Sequence, residues 1–227
     1  MELPTITNRQ QDIILYLYRF RFLNRIQIQA LLNHKSPKNT NVWLKDLTDK
    51  KYINRIFEKK AGINDPAIYY LSKYGIKFLL SFEGIEKENV KKLYQEKRKS
   101  KQFIDQCIFI ANIYLKLKEQ NLSEFKYYSQ QDFPVKGVIR ELQPSFAYVY
   151  EKDGKTLQFT CEIIKTGTPR FAIRGRIQKY IEFFKDQPDM NVIFICQNLK
   201  ISEYIDKYVL RITEEDELAI NFNTALF

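Results

Sequence analysis

Residues 36–71 read SPKNTNVWLKDLTDKKYINRIFEKKAGINDPAIYYL, and this stretch gives the strongest indication of the fold of the first part of the chain. Ser36-Pro37 begins a helix, because serine is suited to the N-cap and proline to the first helical position. Tyr52–Phe57 and Ala67–Leu71 have the composition of two strands. Residues 58–66 between them are polar and contain an Asn-Asp-Pro turn sequence, so the two strands are predicted to form a hairpin.

Further helices flank this segment. Thr7 is suited to cap a first helix, Asn24 a short second one, and Ser72 a fourth that follows the hairpin. Three helices, a two-stranded hairpin and another helix form the order of a winged helix-turn-helix, predicted here for residues 1–82. In such a module the third helix enters the major groove of double-stranded DNA.

The predicted third helix and wing carry side chains that suit DNA. Asparagine pairs bidentately with adenine, and lysine reaches guanine or phosphate. Cations on the wing suit phosphate or minor-groove contacts. The residues predicted to bind DNA in this module are Lys38, Asn41 and Lys45 on the helix, and Arg55, Lys59 and Lys60 on the wing.

The charge is distributed unevenly along the chain. Residues 1–101 contain 21 Lys/Arg and 10 Asp/Glu, a net charge of +11, whereas residues 102–227 contain 16 and 17, a net charge of −1. This division predicts two modules and identifies double-stranded DNA as the expected partner of the first. Residues 83–101 mix acids with many lysines and are predicted to be a charged linker.

Composition excludes several classes of function. With His34 as the single histidine, the chain cannot form a His-metal-His centre, and a Ser-His-Asp or Cys-His system would depend on this predicted turn residue. There is no GxGxxG or GxxxxGK[ST] loop for nucleotide phosphates. The cysteines lack zinc-site spacing and are expected to be buried thiols. Without a signal-peptide pattern or a membrane-length apolar run, a cytoplasmic protein with no membrane partner is expected.

Residues 102–227 alternate helices and strands. Helices are predicted at 102–120, 168–185 and 201–208, strands at 125–128, 146–150, 157–164, 191–196 and 219–223, and an acidic solvated loop at 213–218. An Asp-Gly pair between the second and third strands predicts a hairpin. This order is that of a restriction-endonuclease-like α/β domain, so the predicted fold class is α/β overall.

Nuclease cores of this kind bind Mg²⁺ with acids on neighbouring strands and use a lysine to position water. Here Glu162 is in place, but Lys165 is three residues further on, which turns it to the opposite face of a strand. Ser145 stands where an acid is needed, and Glu141 is a substitute only if its strand starts earlier. The competing interpretation pairs Glu162 with Lys165 or with an arginine of the next helix.

The sequence therefore predicts a degenerate domain without efficient catalysis and without a cofactor. Magnesium enters only if Glu141, Glu162 and Lys165 form a rearranged site, with Glu162 as the metal ligand. The predicted helix that follows also carries cations expected to contact the DNA backbone, namely Arg170, Arg174 and Arg176.

Four stretches resemble one known family. They are ILYLYRFRFLN at Ile14–Asn24, the winged segment through Ser72, FIDQCIFIANIY at Phe103–Tyr114, and LQPS at Leu142–Ser145 through FTCEIIKTGT at Phe159–Thr168. With these stretches the chain resembles the replication-relaxation family of plasmids and integrative elements of Gram-positive bacteria. The family is similar in having Pro-Asp in the third region and Glu-x-Asp followed by a basic residue in the fourth. This chain keeps Pro144, Glu162 and Lys165 but has Ser145 and Ile164 at the acidic positions.

The leading hypothesis is a DNA-binding protein of a plasmid or mobile element that acts in replication or mobilisation. Its second module would bind DNA ends, form a homodimer or recruit replication or mobilisation proteins. One alternative is a metal-dependent DNA nuclease with the rearranged site, and another is a winged-helix transcriptional regulator. The resemblance supports a DNA-binding role, and its departures argue against cleavage.

Overall fold

The computed structural model describes residues 3–57, 65–85, 87–119, 125–133, 141–152, 154–184, 191–216 and 221–227. The chain is a mixed α/β protein that separates into two compact units, Met1–Asn121 and Leu122–Phe227. No helix among the described residues is both long enough and apolar enough to cross a membrane.

The first unit combines helices with a small antiparallel sheet whose strand order is β1-β3-β2. Its elements are α1 (Asn8–Phe20), β1 (Leu23–Asn24), α2 (Arg25–Leu31), α3 (Pro37–Asp49), β2 (Ile53–Ile56), β3 (Ile68–Leu71), α4 (Lys73–Leu79), α5 (Lys87–Val90), a 3-10 helix (Lys91–Arg98) and α6 (Lys101–Glu119). The helices and the two hairpin strands occur in the predicted order, and the sequence prediction missed the short strand β1.

Local side chains explain where these helices begin. Thr7 forms a capping box with Gln10, and Asn24 forms one at the start of α2. Ser36 is the N-cap of α3 with proline at the next position, and the Ser72 hydroxyl accepts hydrogen bonds from the first turn of α4. The helices therefore begin at the residues predicted from the sequence, with side-chain caps at Thr7, Asn24 and Ser72 and a proline at the first position of α3.

The predicted linker is folded instead. Val90, Leu93 and Glu96 are buried, and Glu96 accepts a hydrogen bond from Arg21 Nε at 2.8 Å. Burial raises the pKa of Glu96, and the nearby Arg21 guanidinium opposes this shift. A buried carboxylate needs such a partner, so this ion pair fixes the 3-10 helix to the end of α1.

Helix α6 also differs from its predicted place, because it lies in the first unit and not in the second. Gln27 Nε2 donates hydrogen bonds to the Ile108 carbonyl and to Asn112 Oδ1, at 2.8 and 2.7 Å. Cys107 packs in a cluster with Phe22. The apolar circumference of α6 thus reflects packing against α1, α2 and β1, and the unit boundary follows residue 121 where residue 101 was predicted.

The second unit is a five-stranded mixed sheet with strand order β4-β5-β6-β7-β8. Its elements are β4 (Lys126–Tyr128), β5 (Phe146–Lys152), β6 (Lys155–Ile164), α7 (Arg170–Phe184), β7 (Asn191–Cys196), α8 (Leu199–Asp216) and β8 (Asn221–Leu226). Strands β4, β5 and β6 pair antiparallel, whereas β6, β7 and β8 pair parallel. The predicted hairpin joins β5 to β6, although Asp153 of its Asp-Gly pair lies outside the described residues.

Helices α7 and α8 pack on the sheet through one apolar core. Ile177, Tyr180 and Phe194 are completely buried there. The sequence prediction ended α8 at residue 208 and placed a solvated loop at 213–218, but the helix continues to Asp216. Val209 and Ile212 extend the apolar stripe against the core, and this packing outweighs the acidic run at the end of the helix.

Candidate nucleic-acid interface

A solvent-facing groove lies between α3 and the hairpin strands of the first unit. Its volume is about 600 Å³, and Asn41, Lys45 and Thr48 line one wall from α3. Arg55 and Phe57 line the opposite wall, from β2 and the residue after it. Three side chains predicted to bind DNA, Asn41, Lys45 and Arg55, therefore meet in one groove.

The cation of Arg55 is held in an exposed position. Its guanidinium carbon lies 4.7 Å from the centre of the Phe57 ring, and Phe57 is itself 52% exposed. Stacking on a ring leaves the N–H edge of a guanidinium available to phosphate oxygens. Arg55 is thus oriented as a phosphate-binding side chain would be.

Arg25 is a further cation of the groove that the sequence prediction missed. Burial raises the pKa of Tyr69, and the charges of Arg55 and Arg25 oppose this shift. The Tyr69 hydroxyl therefore stays neutral and can act as a hydrogen-bond donor in the groove. No pattern within α2 marks Arg25, because the groove forms only when α2 and α3 pack together.

The remaining predicted residues of this unit have different positions. Lys38 is exposed in the first turn of α3, whereas Lys59 and Lys60 lie outside the described residues. His34 accepts a hydrogen bond at Nδ1 from the Ser36 backbone N–H at 3.2 Å, and its ring meets the Trp43 ring edge-on at 4.9 Å. These contacts give His34 a structural part in the turn before α3.

The groove also contains acids. Asp49 and Asp65 line it together with the three cations Arg25, Lys45 and Arg55. The balance is positive, with an amide on the α3 side. Such a set of groups can bind a polyanionic backbone and hydrogen-bond the edge of a base.

A second cluster surrounds Glu162 on β6. Arg176 Nη2 donates to Glu162 Oε2 at 2.7 Å, and the Tyr180 hydroxyl donates to the same oxygen at 3.0 Å. The side chains of Glu162 and Arg176 are only 14% and 19% exposed. Arg176 Nη2 also donates to the Gln143 carbonyl at 3.0 Å. The arginine of the following helix is therefore a partner of Glu162, as one of the sequence interpretations had it.

The charges of this cluster compensate each other. Burial raises the pKa of Glu162, while the hydrogen bond and charge of Arg176 oppose the shift. Burial lowers the pKa of Arg176, but the hydrogen bond and charge of Glu162 outweigh burial, so the pKa is raised overall. Each group thus favours the charged form of the other.

The other candidate metal ligands do not assemble around Glu162. The Ser145 hydroxyl accepts a hydrogen bond from the Ile163 backbone N–H at 3.1 Å, so this hydroxyl is already bound to strand β6. Glu141 is exposed, and Lys165 follows the end of β6. Within the described ranges, no three His, Cys, Asp or Glu side chains are grouped to hold a metal ion. These residues do not fit a Mg²⁺ site, because the carboxylate is already neutralised by a guanidinium.

The three arginines predicted on α7 have different environments. Arg176 is turned inward to Glu162, whereas Arg174 is exposed. The guanidinium carbon of Arg170 lies 5.0 Å from the centre of the Tyr204 ring on α8. Of these three arginines, Arg170 and Arg174 are therefore the ones that a ligand could reach from solvent.

Comparisons with known proteins give the following similarities. MepR, a transcription regulator of the Staphylococcus aureus multidrug efflux pump MepA, is 24% identical, covers 51% of this chain and 81% of its own, and has a TM-score of 0.31. A MepR mutant from a multidrug-resistant S. aureus clinical isolate is 25% identical over 51% of this chain and 80% of its own, with a TM-score of 0.31. The restriction endonuclease FokI bound to DNA is 12% identical over 96% of this chain and 42% of its own, with a TM-score of 0.31.

No curated protein matches this chain. A family model described as replication-relaxation matches residues 15–192, which include α2, α3, the hairpin strands and the Glu162 cluster. The match extends over both units and more than half of the chain, so this protein belongs to the replication-relaxation family.

Proposed function

We propose that this protein binds double-stranded DNA of a plasmid or mobile element and acts in its replication or mobilisation without efficient catalysis. The observation that carries the proposal is the groove between α3 and the hairpin, where Asn41, Lys45 and Arg55 meet. Membership of the replication-relaxation family supports the same class of role.

The first unit would act as a winged helix-turn-helix. Helices α2 and α3 are followed by a hairpin, and β1 completes the small antiparallel sheet, which is the element order of that fold. With α3 in the major groove, Asn41 and Lys45 would reach base edges, while Arg55 and Arg25 would contact phosphates. The unusual feature is that the same groove includes Asp49 and Asp65, which would disfavour a phosphate close to them and so restrict the register.

The second unit would be a restriction-endonuclease-like scaffold that has lost its metal chemistry. The pair Glu162–Arg176 supports this part of the proposal, because Mg²⁺ would have to displace a guanidinium from a largely buried carboxylate. Such a scaffold would be free to form a homodimer or to recruit replication or mobilisation proteins.

The test is binding of the full-length protein to duplex DNA from a replicon of the host, measured by fluorescence anisotropy over a range of salt concentrations. With about 4–6 phosphate contacts, affinity should fall roughly a hundredfold to a thousandfold between 50 and 200 mM salt, because condensed counterions are released. The double variant Asn41→Ala, Lys45→Ala should lose sequence preference.

A matched control is Lys118→Ala, which removes an exposed lysine of α6 outside the groove. It changes the net charge as Lys45→Ala does, and it should leave binding within about twofold, since an isolated distant charge is screened. Binding that is insensitive to salt, or equal losses in Lys45→Ala and Lys118→Ala, would contradict the proposal.

A further inference from the structure

Two stacked phenol rings with a guanidinium group on each side form a row along α7 and α8. The guanidinium carbon of Arg170 lies 5.0 Å from the centre of the Tyr204 ring. The rings of Tyr204 and Tyr208 are 6.3 Å apart and inclined by only 10°. The guanidinium carbon of Arg211 then lies 5.3 Å from the centre of the Tyr208 ring. These four side chains form the arginine–tyrosine row.

Helical geometry adds further cations to the arginine–tyrosine row. With 3.6 residues per turn, Lys200 and Lys207 fall on the same side of α8 as Tyr204 and Arg211, and both lysines are exposed. Arg174 follows Arg170 by one turn on α7 and is also exposed.

Two exposed acids of α8 share this side of the helix. Glu203 precedes Lys207 by four residues and Glu214 follows Arg211 by three, spacings that place each acid beside a cation. Asp206 accepts a hydrogen bond from the Thr224 hydroxyl at 2.9 Å, which holds it against β8. Among the described side chains of this surface, the five cations outnumber the two acids and leave a positive balance. The cations are Arg170, Arg174, Lys200, Lys207 and Arg211.

Phe171 stands beside this row with 72% of its surface exposed, more than any other large hydrophobic side chain described. It follows Arg170 directly and lies three residues before Arg174. A phenyl ring on the same turn of α7 as Arg170 and Arg174 offers a flat apolar face near anion-binding groups. That combination suits a ligand with both negative charges and exposed aromatic faces.

We propose that this surface binds single-stranded nucleic acid. Arg170, Arg174 and the lysines of α8 would contact phosphates, and a base would stack on the exposed ring of Phe171. A duplex keeps the faces of its bases inside the helix, so an exposed phenyl ring gains contact only with unstacked bases. The site thus goes beyond the proposed duplex binding by α3, since it lies on the other unit and takes another form of nucleic acid.

The experiment measures anisotropy of a labelled oligothymidine and of a labelled duplex with the full-length protein. Phe171→Ala should weaken oligothymidine binding about tenfold, because each base–aromatic stack contributes substantially to affinity, and should leave duplex binding unchanged. Phe171→Tyr retains a ring and should restore binding. Leu199→Ala is the matched control, since Leu199 is 57% exposed and truncation there removes apolar surface without a ring.

Charge variants complete the test. Arg170→Gln with Arg174→Gln should weaken oligothymidine binding. The melting temperature should stay close to that of the wild type, and thermal unfolding measures it. Asn41→Ala with Lys45→Ala should weaken duplex binding and spare oligothymidine binding, so failure of the duplex proposal is separable from failure of this one.

Three outcomes would overturn the proposal. The first is unchanged oligothymidine binding in Phe171→Ala. The second is an equal loss on duplex and oligothymidine, which would reduce the surface to a nonspecific backbone contact. The third is a change in the oligomeric state of Phe171→Ala, measured by sedimentation, without a change in its oligothymidine binding. Phe171 would then belong to a protein interface.

Discussion

The groove of the first unit and the Glu162 cluster of the second use their cations in opposite ways. Lys45 and Arg55 face a solvent-filled groove, and Arg55 is held by stacking on a ring. Arg176 faces inward and is paired at 2.7 Å with a carboxylate that is 14% exposed. Both units carry arginines at positions that suit DNA in the sequence, but Arg55 lines a groove whereas Arg176 is paired with Glu162.

The difference shows that the burial of neighbouring carboxylates decides whether a cationic side chain is available to bind a ligand. An exposed lysine or arginine stays hydrated and gives little to stability, so it remains available for a polyanion. A buried carboxylate requires a permanent partner, because an unpaired buried charge is costly. Glu162 therefore commits Arg176 to the fold, and net charge alone does not reveal this.

The largest expected effect tests that commitment. Arg176→Ala should lower the free energy of unfolding by about 3–5 kcal/mol, because it leaves the Glu162 carboxylate buried without its cation. Urea denaturation followed by circular dichroism measures the change. Arg174→Ala, two residues away on the same helix but exposed, should change stability by no more than about 0.5 kcal/mol.

A double variant separates loss of the ion pair from loss of packing. Arg176→Ala with Glu162→Gln should recover part of the stability, since a neutral amide has no charge to compensate. If the double variant is no more stable than Arg176→Ala alone, the ion pair is not the source of the effect.

The pH dependence follows from the raised pKa of Glu162. A carboxyl whose pKa is higher in the folded than in the unfolded state costs stability when it is ionised, and the cost disappears below the unfolded pKa. Arg176→Ala should raise this pKa further. Its deficit relative to wild type should therefore shrink, by up to about 1.4 kcal/mol per pH unit, as the pH falls through the range in which Glu162 of the folded variant takes up its proton. A deficit that grows on acidification would contradict the assignment.

A smaller effect is expected in the groove. Asn41→Ala and Lys45→Ala should each weaken a cognate site by about 1–3 kcal/mol and reduce sequence preference. Arg55→Gln should weaken all duplexes about equally, and Lys59→Ala with Lys60→Ala is predicted to act in the same way. Competition assays with varied duplexes measure this, and a wing substitution that alters preference more than the α3 substitutions would reverse the proposed docking.

The sequence was sufficient for features set by neighbouring residues. The caps at Thr7, Asn24 and Ser72, the proline at the start of α3 and the hairpin strands all rest on local preferences. These features also place Asn41 on the exposed side of α3, and hence in the groove.

Features that depend on contacts between distant residues could not be predicted from the sequence. The segment 83–101 resembles a solvated linker until Arg21 supplies a partner for Glu96 across 75 positions. Arg176 has the same sequence signature as Arg174, and only the packing of α7 on β6 distinguishes them. Arg25 shares a groove with Lys45 because α2 and α3 fold together, which periodicity within one helix does not reveal.

The smallest expected effect concerns cleavage. Supercoiled and linear DNA incubated with the full-length protein and Mg²⁺ or Mn²⁺ should remain uncut, and Glu162→Gln should behave as wild type does. The reason is electrostatic, since two-carboxylate sites bind Mg²⁺ by concentrating negative charge. Here one carboxylate is matched by one guanidinium. Ser145 is bound to the strand backbone. Metal-dependent nicking that is absent in Glu162→Gln would show that Arg176 yields its place to a metal, and the nuclease alternative would then replace the non-catalytic one.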